Sequence, residues 1–224
     1  MRVLVTGDSW GCGVWKNKQV VHEGLVWYLQ HKYNHTVTNV SKAGCSNLRN
    51  LHKLRTTNLN EYDFIIVYYS NPFLDIKTTD DFSYFNVPDK SLDDNFITQL
   101  HENLTCTYLK NLNSLSKKIY LVGGHNKVST QYINYNNVIA LIPSIREFFY
   151  PTFIEPEVIS SCYVFDMYTN KFDDKALEHI NKSRTHMRNL SNIQKEYFHP
   201  NGYHLNLKGH AILAEFIHNF MANQ

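Results

Sequence analysis

Serine, histidine, glycine and amide side chains at the ends of apolar runs are where this 224-residue chain can do chemistry. The densest stretch is Thr6-Gly7-Asp8-Ser9-Trp10-Gly11-Cys12-Gly13, directly after the apolar run Arg2-Val3-Leu4-Val5. Two chemistries fit it. Its glycines match a TGxxxGxG turn, in which the backbone closes on a dinucleotide pyrophosphate at a helix N-terminus. Its Gly-Asp-Ser also presents Ser9 where a strand gives way to a helix, and a hydroxyl there becomes a nucleophile once a base takes its proton. The plainest reading is structural: Ser9 caps the helix that follows.

The rest of the chain decides between them. A dinucleotide site calls for a charged residue after the second strand to meet the adenosine ribose. That strand ends Thr38-Asn39-Val40-Ser41, with none. Short-chain dehydrogenases also carry a YxxxK pair well downstream, and the only one here, Tyr28 to Lys32, falls inside the first helical segment. The dinucleotide reading therefore has nothing to support it beyond its own loop.

The hydrolytic reading meets further matches along the chain. Gly7-Asp8-Ser9, Asn39-Val40-Ser41-Lys42-Ala43-Gly44, the run 63–69 followed by Ser70-Asn71, and Asn201-Gly202-Tyr203-His204 through His210 resemble, in order, the four blocks of the SGNH (GDSL-like) hydrolase family. The blocks span residues 7 to 210. The resemblance implies Ser9 as nucleophile and His204 as base. It implies an oxyanion hole formed by the backbone N–H groups of Ser9 and Gly44 and the side-chain amide of Asn71. These types suit the work. A preorganised oxyanion donor contributes about 3–4 kcal/mol, a side chain at position 44 would crowd the oxyanion, and a neutral amide costs less to bury than a charge. The bland alternatives are a turn glycine at 44, a turn asparagine before Pro72 at 71, and a structural histidine at 204. His199 is the alternative base. His204 is preferred because Leu205-Asn206-Leu207-Lys208-Gly209 follows it as in the family, and His210 is placed on the last helix.

Two positions depart from the family. Its third block reads Gly-x-Asn-Asp, whereas this chain has Tyr69-Ser70-Asn71-Pro72, so Tyr69 is expected to narrow the pocket or reshape the strand end. Asn201 stands where the family has the aspartate that orients the histidine. In a serine protease that exchange lowers kcat about 10⁴-fold. Three outcomes are open. Ser9 and His204 work as a dyad, with a carbonyl or the Asn201 amide oxygen accepting from the imidazole; catalysis is lost and a pocket for a glycan or protein partner is kept; or Asn201-Gly202 deamidates in part to aspartate.

Elements that would position these residues can be read from the apolar pattern. Strands are expected over 2–6, 36–40, 63–69, 118–122 and 138–142, the third so continuously apolar that both its faces must be buried. Helices are expected over 19–32, from 46 to about 55, over 95–116, near 156–162 and 174–190, and over 207–221. On the last of these, Ile212, Leu213, Phe216, Ile217 and Phe220 would face inward. Alternating strands and helices predict a three-layer α/β/α sandwich around a central parallel five-stranded sheet, flavodoxin-like in plan. Ligands bind at the carboxyl ends of such strands. One domain over 1–224 is expected, with an irregular excursion at 74–94. The excursion and the region 150–170 would wall the pocket, and the aromatics Phe82, Tyr84, Phe85, Phe149, Tyr150 and Phe153 suit stacking on a sugar face or an acyl chain and ordinary packing equally.

Composition narrows the partners. A formal charge of +2, with scattered Lys and Arg, gives no field for nucleic acid or an anionic membrane. No apolar run reaches the roughly 20 residues of a membrane helix. With no signal-like start, a cytoplasmic protein is expected, and heavy Asn and Tyr usage hints at a phage or low-GC bacterial source. The four cysteines, Cys12, Cys45, Cys106 and Cys162, show no CxxC. Reduced thiols are expected, with Cys12 and Cys45 as near neighbours and a metal or redox pair there as the minor alternative. Neither a metal nor an organic cofactor is required for the implied chemistry. The implied substrate is an O-acetylated carbohydrate or a small carboxylic or lipid ester.

Overall fold

The computed structural model describes residues 1–16, 19–70, 94–124, 127–133, 135–151, 165–166, 171–172, 196–199 and 204–224. The expected helices near 156–162 and 174–190, the 74–94 excursion except Asp94, and Asn71, Phe153 and Asn201 lie outside these residues.

Strand β1 (Arg2–Thr6) is flanked by β4 (Thr36–Asn39) and β5 (Phe64–Tyr69). Beyond β5 lie β6 (Ile119–Gly123) and β7 (Val138–Ile142), giving the order β4-β1-β5-β6-β7 with every pair parallel. The five expected strands are all present. The central ones are apolar without alternation because both faces are covered, and all six residues of β5 are buried.

Helices form two outer layers, each with its own core. On one face α2 (Leu25–His31) and the C-terminal helix, here α6 (Leu207–Ala222), pack Leu25, Leu29, Leu213 and Ile217 against Val3, Val5 and Ile66. On the other, α3 (Asn47–Thr56) and α4 (Asp94–Asn113) pack Leu51, Leu54, Tyr108 and Leu112 against Leu4, Ile65 and Leu121. The fold is thus the expected three-layer α/β/α arrangement. On α6 the buried stripe is Gly209, His210, Leu213, Ala214, Ile217 and Met221, so Ile212, Phe216 and Phe220 sit at its margin, only partly buried. Phe220 still meets the stacked Phe64 and Tyr120 rings edge-on.

The expected helix over 19–32 is corrected. Gln19–His22 forms a strand, β3, paired antiparallel with β2 (Val14–Lys16), and the helix starts at Leu25. Two adjacent valines favour extended backbone, and Val20 and Val21 are exposed instead of buried. Gly24 then ends the strand at φ +55°. In place of a side-chain cap from its own chain segment, α2 receives one from the far end of the protein. His210 Nδ1 accepts the Leu25 N–H at 3.1 Å. A methyl group on Gly24 would lie 2.8 Å from three atoms of that imidazole, in a backbone conformation that disfavours any side chain. Gly24→Ala is accordingly expected to destabilise the fold by about 2–3 kcal/mol, read as a shift of the urea midpoint with an unchanged slope.

Candidate active site

Beyond β1 the chain turns with no spare volume. A Cβ on Gly7 would lie 2.5 Å from the Tyr68 Cβ of β5, and one on Gly11 would lie 2.4 Å from the Ser41 hydroxyl oxygen. The one-turn helix α1 (Ser9–Cys12) is capped by Asp8, whose Oδ1 accepts the Trp10 N–H at 3.0 Å. The cap is therefore the aspartate, which leaves the Ser9 side chain available. Ser9 Oγ lies 2.9 Å from His204 Nε2, across 195 positions of sequence.

Backbone pairing around α6 holds His204 there. Phe198 and Leu205 form an antiparallel bridge, and the His199 N–H donates to the His204 carbonyl at 2.9 Å. Asn206 caps α6 through the Gly209 N–H, while its own amide donates to the Glu196 carbonyl at 3.0 Å. A Cβ on Gly209 would lie 2.4 Å from the Tyr197 carbonyl oxygen, so glycine is what lets α6 approach this segment. His199 contributes its backbone here, and among the described contacts it is His204 that meets Ser9. His210 is buried under Gly24 as the α2 cap.

The imidazole of His204 lies between two indoles, Trp10 at 5.5 Å and Trp15 at 5.8 Å between centroids. Trp15 is fixed by its Nε1–H, which donates to the Ser9 carbonyl at 2.7 Å. His204 Nδ1 has no hydrogen-bond partner among the described residues. Burial first, then the charges of His199 and Arg146, push this histidine down to about 4, so it is a neutral, weak base at pH 7.

Gly44 belongs to a loop built onto the serine turn. The Lys42 N–H donates to the Gly7 carbonyl at 3.0 Å, and the Asn39 amide donates to the Gly11 carbonyl at 3.0 Å. Within this loop Gly44 is exposed at φ +67°, a conformation suited to glycine. The β5 end is held by Asn47 of α3, whose amide donates to the Ser70 carbonyl and accepts its N–H, both at 2.9 Å. Tyr69 does not narrow the pocket. It points to the opposite layer, where its hydroxyl meets Thr105 Oγ1 of α4 at 2.9 Å. Tyr68 instead lies under the serine turn.

The parts played by Asp8, Trp15, Asn39 and Asn47 were missed in the sequence. Phe149 and Tyr150 pack against Tyr197 and Phe198. Cys12 and Cys45 are both free thiols. Burial and the Asp8 charge raise Cys12 to about 11, and burial raises Cys45, so neither is a ready thiolate. Among the described residues no three His, Cys, Asp or Glu side chains converge as metal ligands, and no helix is long and apolar enough to cross a membrane.

Solved structures resemble this backbone over nearly its whole length. TesA matches with TM-score 0.44 and 14% identity, covering 97% of this chain and 96% of its own. A lipase/acylhydrolase from Enterococcus faecalis matches with TM-score 0.44 and 14% identity, over 100% and 96%. An acetylxylan esterase from Geobacillus stearothermophilus matches with TM-score 0.41 and 12% identity, over 98% and 93%. No protein-family model matches the chain, and no curated protein is significantly similar to it. Likeness at this level adds nothing to the chemistry, which rests on the contacts described above.

Buried ionisable groups give the site a pH signature. Burial raises Asp8 to about 6, against the pull of the Trp10 N–H and the nearby Ser70 side chain. Burial lowers His210 to about 3. Between pH 4 and 6 the folded protein binds a proton on Asp8 that the unfolded chain lacks, which favours folding as pH falls. His204 and His210 act oppositely, because the unfolded chain binds their protons first; His35 and His199 are lowered too and add to this. Asp8→Asn removes the one opposing group among the described residues. Its stability should therefore fall more steeply on acidification, by about 1 kcal/mol per pH unit more than wild type between pH 4 and 6. Urea titrations at pH 4.5, 5.5 and 6.5 measure this, and parallel slopes would mean that Asp8 is ionised in the fold.

Proposed function

We propose that the chain is an SGNH-type serine ester hydrolase, and the observation that carries the proposal is the 2.9 Å contact between Ser9 Oγ and His204 Nε2. His204 takes the Ser9 proton as Oγ attacks the ester carbonyl. The oxyanion is met by the N–H groups of Ser9 and Gly44 and by the Asn71 amide. Collapse breaks the C–O bond to the alcohol, which leaves with the proton from His204 and with the acyl group held on Ser9. Water, activated by the same imidazole, then releases the acid. The substrate class is a small carboxylic ester or an O-acetylated carbohydrate. Support for the oxyanion donors is the four-block resemblance, the Asn39 amide on the Gly11 carbonyl beside the Gly44 loop, and the two bonds by which Asn47 holds Ser70.

A second reading, a catalytically silent module that binds a glycan or protein partner, is favoured by the unpartnered His204 Nδ1 and by asparagine at 201. Labelling separates the two. A fluorophosphonate should leave an adduct on Ser9 by mass spectrometry, and p-nitrophenyl acetate should be cleaved faster than by Ser9→Ala. Neither signal would leave only the binding module.

Active protein carries a second signature. A histidine at about 4 keeps its basic form well into acid, so kcat/KM should stay level from pH 7 down to about 5. Asn201→Asp restores the acid of the family's fourth block, and a carboxylate reaching the imidazole favours its cation, so the acid limb should then move up in pH and the plateau rate should rise. An unmoved limb would show that residue 201 does not touch the base.

A further inference from the structure

Among the described residues, the groups that bear on the His204 ring are Ser9 from α1, Arg146 from the short helix α5 (Ile145–Phe149), His199 from its own segment and His210 from α6. All are neutral or positive. Yet the imidazole must become a cation at the moment Ser9 attacks. Among the described residues, the only electron-rich surfaces against it are the indoles of Trp10 and Trp15, both with centroids within 6 Å of its own. A cation within about 6 Å of an indole is attracted by the negative face of the ring, most strongly where water is excluded.

We infer that Trp10 and Trp15 are positioning residues that clamp the His204 ring and stabilise its imidazolium, the task an oriented carboxylate performs in a triad. This rests on the serine-hydrolase reading and deepens it. The two indoles are not equal. Trp10 already has the Arg146 guanidinium 5.4 Å from its centroid, a cation that draws on the same π-electrons. Trp15 has no such competitor described. Its orientation is doubly set, by the Nε1–H bond to the Ser9 carbonyl and by pairing with Val20 across the hairpin. The hairpin that replaced the expected helix is thus what carries an aromatic face to the base.

Fluorination tests this, because fluorine drains an indole's π-face with little change in shape. A Trp27→Phe background leaves Trp10 and Trp15 as the only tryptophans of the three. Mono-, di- and trifluorotryptophan are then incorporated, with and without Trp15→Phe. The rate of fluorophosphonate labelling at Ser9 should fall stepwise, on the order of tenfold across the series. The fall should be shallower once Trp15 is Phe. The His204 titration, followed by imidazole NMR in Ser9→Ala, should shift downward with each fluorine. A labelling rate and a titration both indifferent to fluorine would overturn the clamp, and so would an upward shift. Because the titration needs no turnover, a fluorine-sensitive His204 in a protein whose Ser9 never labels would overturn the hydrolase reading and leave the clamp standing.

Discussion

Between the serine turn and the strand beneath it there is no room for even a methyl group. The Gly7 Cα sits so close to Tyr68 that a Cβ would overlap that residue's own Cβ. Most of the site follows from this approach. With the turn pressed onto β5, Asp8 is forced inward, where it caps α1, and Ser9 is left facing out. The same pressing brings Gly11 against Ser41, which draws the Gly44 loop alongside. A looser turn would let Asp8 reach water and would leave the Ser9 hydroxyl free to cap the helix itself.

The base is held by a different logic. Among the described residues His204 has no anionic partner, and burial with nearby cations makes its protonated form costly. Neutral polar contacts fix its backbone, and aromatic rings fix its side chain. Such a site trades driving force for readiness, since a base that stays unprotonated is always available but pulls weakly.

Much of this was legible in the sequence, for identifiable reasons. Apolar runs placed four of the five strands, most plainly β5, because a strand covered on both faces leaves no polar residue to confuse the reading; the edge strand Thr36–Asn39, exposed at three of its four positions, was legible from its β-branched residues instead. Ser9 and His204 were found from their blocks and do meet. Residues 19–22 were misread because they run straight into the apolar residues of the helix that follows, and periodicity alone cannot separate short runs. Trp15 was invisible for the same reason, since its value comes from a β-pairing that was not foreseen. Tyr69 was judged by its neighbour Asn71, but alternation along β5 sends it to the other face of the sheet. Asn39 and Asn47 escaped because a clamp on backbone atoms leaves no pattern in residue type.

The cap of α2 by His210 joins a helix near the beginning of the chain to one near its end, and α2 and α6 also pack against each other in the same core. The reacting pair depends on that closure, since His204 is fixed by the turn that opens α6. Contacts of such long separation form late, after the local elements they join. During synthesis the sheet and the α3–α4 layer can be complete while the base is still missing. On the serine-hydrolase reading, the nascent chain is inert until α6 has emerged and docked, so the order of synthesis also sets when the chemistry can begin.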